Sequence, residues 1–128
     1  VEAHLQAWRL AVTEPGWRPL CAPDDIPDGE SRAFPAPAGG FVGLFAVRRG
    51  TEIFVYVNSC PHIGLPLDWA PGKFLSSDGK RIICANHGAA FEIEDGRCTI
   101  GPCLGDRLER VMIKIKDGVV LVPETAGL

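Results

Sequence analysis

The chain has 128 residues, 46% of them hydrophobic and 23% charged, and a net charge of −3 at pH 7. That length suits one domain with a core that needs no disulfide staples. The slight acidity and the lack of a basic run argue against a nucleic-acid partner, and no stretch approaches the ~18 apolar residues of a membrane span.

In chain order, residues 3–12 place Leu5, Trp8, Ala11 and Val12 at helical spacing, with no cap at either end. Either one or two helical turns or an extended arm is expected there. Residues 18–21 read as a short strand, 24–29 as a turn and 35–40 as a loop. Residues 41–48 and 52–58 form a predicted hairpin around Arg49-Gly50-Thr51. In its second strand Ile53, Val55 and Val57 share one face, while Phe54 and Tyr56 share the other. Asp-Gly pairs, the strongest short turn signal, follow at Asp78-Gly79, Asp95-Gly96 and Asp117-Gly118. Residues 111–116 alternate apolar and charged side chains, with Met112 out of step, and pair across the last turn with 119–122. Repeats, low-complexity tracts and linkers are absent. The pattern predicts a small all-β, antiparallel protein.

Chemistry concentrates in two short motifs, Cys60-Pro61-His62 and Cys84-Ala85-Asn86-His87, the first continuing Ile63-Gly64-Leu65-Pro66 and the second Gly88-Ala89-Ala90. Two thiolates and two imidazoles on two loops can hold one inorganic centre. Small residues after each ligand pair let the backbone fold closely around a bulky group, with N–H groups aimed at its sulfurs. The same donors also make a tetrahedral zinc site. A zinc finger, however, commonly draws its Cys from one half and its His from the other, whereas here each half supplies one of each. Chance placement is disfavoured because the chain has only 3 His, two of them at ligand spacing from a Cys.

These motifs resemble the Rieske family of iron–sulfur proteins, in which two Cys bind one iron of a [2Fe–2S] cluster and two His bind the other. The resemblance runs from about Trp17 to Val122. It includes Gly101-Pro102-Cys103-Leu104 at the place of a third, proline-containing loop over the cluster. Leu67-Asp68-Trp69 and Pro71-Gly72-Lys73-Phe74-Leu75 look like a segment of small bacterial Rieske proteins of ferredoxin type. It implies a Rieske-type antiparallel β-sandwich or barrel over residues 16–128, with a small cluster-binding subdomain at about 60–105 and an N-terminal extension at 1–15. It implies one [2Fe–2S] cluster per chain on Cys60, His62, Cys84 and His87. The imidazoles would bind through Nδ1 and leave Nε2 towards a redox partner. High-potential members carry an extra Cys in each ligand loop and a Ser donating to a cluster sulfur; Leu65, Asn86 and Ala89 hold those positions here. A potential at the low end, roughly −150 to 0 mV, is therefore expected.

The function implied is a ferredoxin-like electron carrier, not an enzyme by itself, passing single electrons from a reductase to an oxygenase or similar acceptor. An oxygenase subunit needs a second iron on two His and a carboxylate. Only His4 remains after the cluster is served. The alternative is a Rieske accessory subunit of a larger oxidoreductase, of oxygenase or nitrite-reductase-like type. No signal peptide is visible and the expected location is the cytoplasm, although a chain opening at Val1 leaves a removed upstream segment open. Of the 5 Cys, Cys21, Cys98 and Cys103 are read as small buried hydrophobes. Cys98 and Cys103 flank a bend and could come close, but a disulfide is not expected in a reducing compartment. Trp69 is read as packing, Lys73, Lys80 and Arg81 as a solvated hairpin, Pro66 and Pro102 as stiffening the loops and excluding water, and His4 as exposed.

Overall fold

The computed structural model describes residues 14–36, 40–61, 64–85 and 88–128. The helix or arm expected at 3–12, and His4 with it, lies outside the described residues. The described residues form ten strands: β1 (Trp17–Cys21), β2 (Ser31–Phe34), β3 (Leu44–Arg49), β4 (Glu52–Val57), β5 (Arg81–Ile83), β6 (Ala90–Glu92), β7 (Cys98–Ile100), β8 (Arg110–Val111), β9 (Lys114–Lys116) and β10 (Val119–Pro123). The helical content of the described residues is one 3₁₀ turn, Pro23–Asp25. All strand pairings are antiparallel, in three sheets ordered β1-β10-β9, β2-β3-β4-β8 and β5-β6-β7.

The four-stranded sheet is the middle layer, which explains why β3 and β4 are apolar on both faces. A strand buried on both faces loses the polar alternation of a half-exposed one. Leu44 and Ala46 of β3, with Ile53 and Val55 of β4, face one core, shared with Leu20, Ile26, Val111, Val120 and Val122. Phe45, Val47, Phe54 and Tyr56 face the other, shared with Leu67, Phe74, Ile82, Phe91 and Ile93. The period-2 split of Ile53 and Val55 against Phe54 and Tyr56 is thus the one expected from sequence. Phe45 stacks on Phe74 with ring centroids 4.3 Å apart and planes 7° from parallel, joining the middle sheet to the segment between the two cysteine motifs.

The turns follow their residues. Arg49 pairs with Glu52, so Gly50 and Thr51 form a two-residue loop, with Gly50 at φ 64° in the first central position of a II′-type turn. Asp117 and Gly118 both have positive φ, 51° and 75°, as a type I′ turn requires. Pro19 lies in β1, at an edge of its sheet, where its missing N–H costs least.

One expected element divides. Residues 111–116 are not a single strand: β8 pairs with β4, whereas β9 pairs with β10. The chain changes sheets at Met112-Ile113, and Met112, out of step in the sequence pattern, is left 73% exposed at that corner.

Candidate metal centre

The two cysteine motifs sit on loops of matching construction. The first leaves β4 and the second leaves β5. In the first, Cys60 N–H donates to the Leu65 carbonyl at 2.8 Å; in the second, Cys84 N–H donates to the Ala89 carbonyl at 2.8 Å. Each bond spans five residues, and in each loop the residue before the acceptor is a glycine with positive φ, Gly64 at 73° and Gly88 at 66°. An L-residue with a side chain is strained there, so the glycines let each loop close on itself.

The loops are also tied together. Ala85 N–H donates to the Leu67 carbonyl at 2.9 Å, and Leu67 N–H in turn donates to Asn58 Oδ1 at 2.9 Å. Ile83 N–H donates to the Phe74 carbonyl at 2.8 Å, fastening the base of the second loop to the segment after the first. Cys60 and Cys84 are each 1% exposed and belong to one contiguous core. His62 and His87 lie outside the described residues. Asn58 was not singled out from sequence; its place between the end of β4 and Cys60 is the signal that marks it.

The third loop packs on the second. At Gly101, with φ 107°, a Cβ would stand 2.9 Å from Ala89 Cα, a distance that only glycine permits. Pro66 and Pro102 are both exposed, so sealing of the loops against water falls to Leu67, Ala89 and Cys103. Cys103 reaches the same core as Cys60 and Cys84, and its sulfur lies 2.7 Å from that of Cys98. Burial, and then the neighbouring Cys98 thiol, push the Cys103 thiol up to about 12. Trp69 is 52% exposed and donates its indole N–H to the Leu75 carbonyl at 3.2 Å, so it packs by one face only. Lys73, Lys80 and Arg81 are exposed, as a solvated hairpin requires.

The donor chemistry fits a sulfur-rich centre. Among the described residues no Asp, Glu, Lys or Arg is buried. Soft thiolates are therefore not in competition with buried carboxylates, the donors that select hard cations. Two cysteine-bearing loops, closed by the same hydrogen bond and capped by a third loop on an antiparallel β framework, define an iron–sulfur type of domain. The chain matches the Rieske [2Fe-2S] domain over residues 16–117 and belongs to that family. It is 30% identical over 84 residues to the ferredoxin component of the p-cumate 2,3-dioxygenase system of Pseudomonas putida, spanning 66% of this chain and 66% of that protein. Among solved structures it resembles a chain in the complex of reduced oxygenase and oxidized ferredoxin in carbazole 1,9a-dioxygenase. The TM-score there is 0.68 at 26% identity, covering 90% of this chain and 99% of that one. The ferredoxin of Sphingomonas yanoikuyae B1 is similar too, with a TM-score of 0.62 at 27% identity over 82% of this chain and 95% of that one.

Proposed function

We propose that this chain is a Rieske-type ferredoxin that carries single electrons from a reductase to an oxygenase, and is not itself a catalyst. One [2Fe–2S] cluster per chain would be held by Cys60 and Cys84 on one iron and His62 and His87 on the other. The observation that carries this reading is the pair of matched, mutually hydrogen-bonded loops that bury both thiols in one core. The similar ferredoxin components of dioxygenase systems supply the direction of electron flow. The domain would run over 16–128, with its cluster-binding part at about 60–105 and residues 1–15 as an extension, working in the cytoplasm.

When bound, the cluster supplies a one-electron couple whose potential is raised by neutral imidazole ligands. The chain's own part is to fix the donors and keep water out. The Ala85–Leu67 bond holds the loops in register, Gly64 and Gly88 allow them to turn tightly, and Gly101 lets the third loop close against Ala89. With Leu65 and Asn86 in place of cysteines, no bridge between the ligand loops forms, and Ala89 offers no hydroxyl to a cluster sulfur. Fewer hydrogen bonds to sulfur stabilise the added electron less, so a midpoint of roughly −150 to 0 mV is expected.

The test is an EPR spectrum of the dithionite-reduced protein, with iron and acid-labile sulfide assays and a redox titration. A rhombic signal with average g below that of all-cysteine clusters, and iron equal to sulfide, is the expected result. A colourless, EPR-silent, zinc-containing protein would overturn the electron-transfer reading. A midpoint above about +150 mV would overturn the argument from Leu65, Asn86 and Ala89.

A further inference from the structure

Cys98 and Cys103 take no part in the proposed ligand set, yet the fold brings them together. Cys98 ends up in β7 and Cys103 in the third loop, both buried, with Sγ atoms 2.7 Å apart. The two are thiols, not a disulfide. The Cys98 thiol also has the Ile100 carbonyl at 3.3 Å. Between them lies Gly101, the residue whose Cα sits against Ala89 of the second cysteine-bearing loop. Closing a bond between the sulfurs would make a ring of residues 98–103 with that contact inside it.

We propose that Cys98 and Cys103 form a reversible dithiol–disulfide switch that clamps the third loop onto the second cysteine-bearing loop. The clamp rests on the reading of that loop as part of the metal centre. In a reducing compartment the dithiol is the resting form, and the oxidant that transiently closes the clamp is a low-molecular-weight disulfide such as oxidised glutathione. One protein thiolate attacks a glutathione sulfur and releases the first glutathione thiol. The second protein thiol then displaces the remaining glutathione from the mixed disulfide. Two protein thiols lose two electrons, the protein S–S bond forms, the glutathione S–S bond breaks, and the two protons end on two glutathione thiols. Access is through the third loop, where buried Cys103 is flanked by exposed Pro102, Leu104 and Gly105. Gly101 and Gly105, at φ 107° and 96°, bracket it; opening this short segment uncovers the sulfur and relieves the burial that keeps the Cys103 thiol protonated, so the thiolate forms in the opened state.

The test uses the cluster-loaded protein. It is incubated with oxidised glutathione, denatured in an alkylating agent and digested with trypsin, which cuts after Arg97 and Arg107 and leaves both cysteines in one peptide. The expected peptide is unalkylated and lighter by two hydrogens than the dithiol form, and returns to two alkylated sites after treatment with reduced glutathione. In the oxidised protein, hydrogen exchange at the Cys84 and Ala85 amides is expected to slow several-fold. Cys98→Ser and Cys103→Ser should abolish that dependence on oxidant. Full alkylation, a stable glutathione adduct as end product, or a cross-link with unchanged exchange would each overturn the clamp. Iron and sulfide assayed in the same sample report separately on the metal centre, while peptide mass and amide exchange decide the clamp whether or not iron is bound.

Discussion

Tyr56 is the only tyrosine of the chain. Its ring is buried between the middle sheet and the small one, and its hydroxyl donates to the Ile93 carbonyl. Burial disfavours the phenolate and pushes the group up to about 12, against about 10 in an unfolded chain. Between those values the folded protein keeps a proton that the unfolded chain has lost, so the Tyr56 contribution to stability is complete below about pH 10 and falls as pH rises towards about 12. With one tyrosine, the rise in tyrosinate absorbance reports this directly: it should come late in native protein and near pH 10 in denaturant. Tyr56→Phe should remove that alkaline dependence and, by leaving the Ile93 carbonyl without its donor, cost about 1–3 kcal/mol in a urea melt. At Gly101 the constraint is steric. Gly101→Ala places a Cβ 2.9 Å from Ala89 Cα at φ 107°. It should lower stability by about 1–3 kcal/mol and reduce iron bound per chain, read by thermal melting and metal assay.

At the scale of elements, the two cysteine-bearing loops are tied to each other and to the end of β4. The bonds from Ala85 to Leu67 and from Leu67 to Asn58 form a relay that starts on the second loop and ends where β4 runs out. Asn58→Ala would leave the Leu67 N–H, whose residue is fully buried, without its acceptor, at about 1–3 kcal/mol. The expected outcome is faster loss of visible absorbance under a chelator, with the strand content seen by circular dichroism unchanged. Unaltered chelator kinetics would mean that the loops are held by packing alone. The small sheet has its own anchor at the turn between β6 and β7. Leu108 N–H donates to the Gly96 carbonyl at 2.9 Å, Arg110 donates to the Glu94 carbonyl at 2.8 Å, and a Cβ on Gly96 would stand 2.8 Å from the Tyr56 ring. The Arg49–Glu94 ion pair at 2.6 Å spans the same junction but is exposed on both sides, so it adds little.

Over the whole molecule, the middle sheet separates two cores, and only one of them touches the cysteine loops. The core shared with β1 and β10 contains neither Cys60 nor Cys84. The other is joined to the middle sheet through the Phe45–Phe74 stack. Phe74→Ala should cost about 3–5 kcal/mol and loosen the small sheet first. Hydrogen exchange should then rise in β5 and β6 before it rises in β3 and β10. Uniform loss of protection would show that the two cores unfold as one unit. Among the described residues no helix is long and apolar enough to cross a membrane.

Much of this was legible in the chain itself. The hairpin of β3 and β4 follows from apolar runs on either side of Arg49-Gly50-Thr51, and the face on which each β4 side chain lies follows from the period of a strand, because successive side chains must point to opposite sides. Turn positions follow from Asp-Gly and Arg-Gly-Thr, because few residues tolerate the backbone those turns demand. The cysteine motifs, with a glycine four residues after each Cys, carry the matched loops in plain view. The remainder depends on contacts between residues far apart in sequence. No local pattern says that the apolar second face of β4 is covered by Phe74 and Phe91, that residues 111–116 split between two sheets, or that Asn58 serves Leu67. That Cys98 and Cys103 could come close was legible from the bend they flank, but not that their sulfurs would meet inside the core. Loop closure over Ala89 brings them together, and it is the tertiary packing of Gly101 that makes such closure sterically possible.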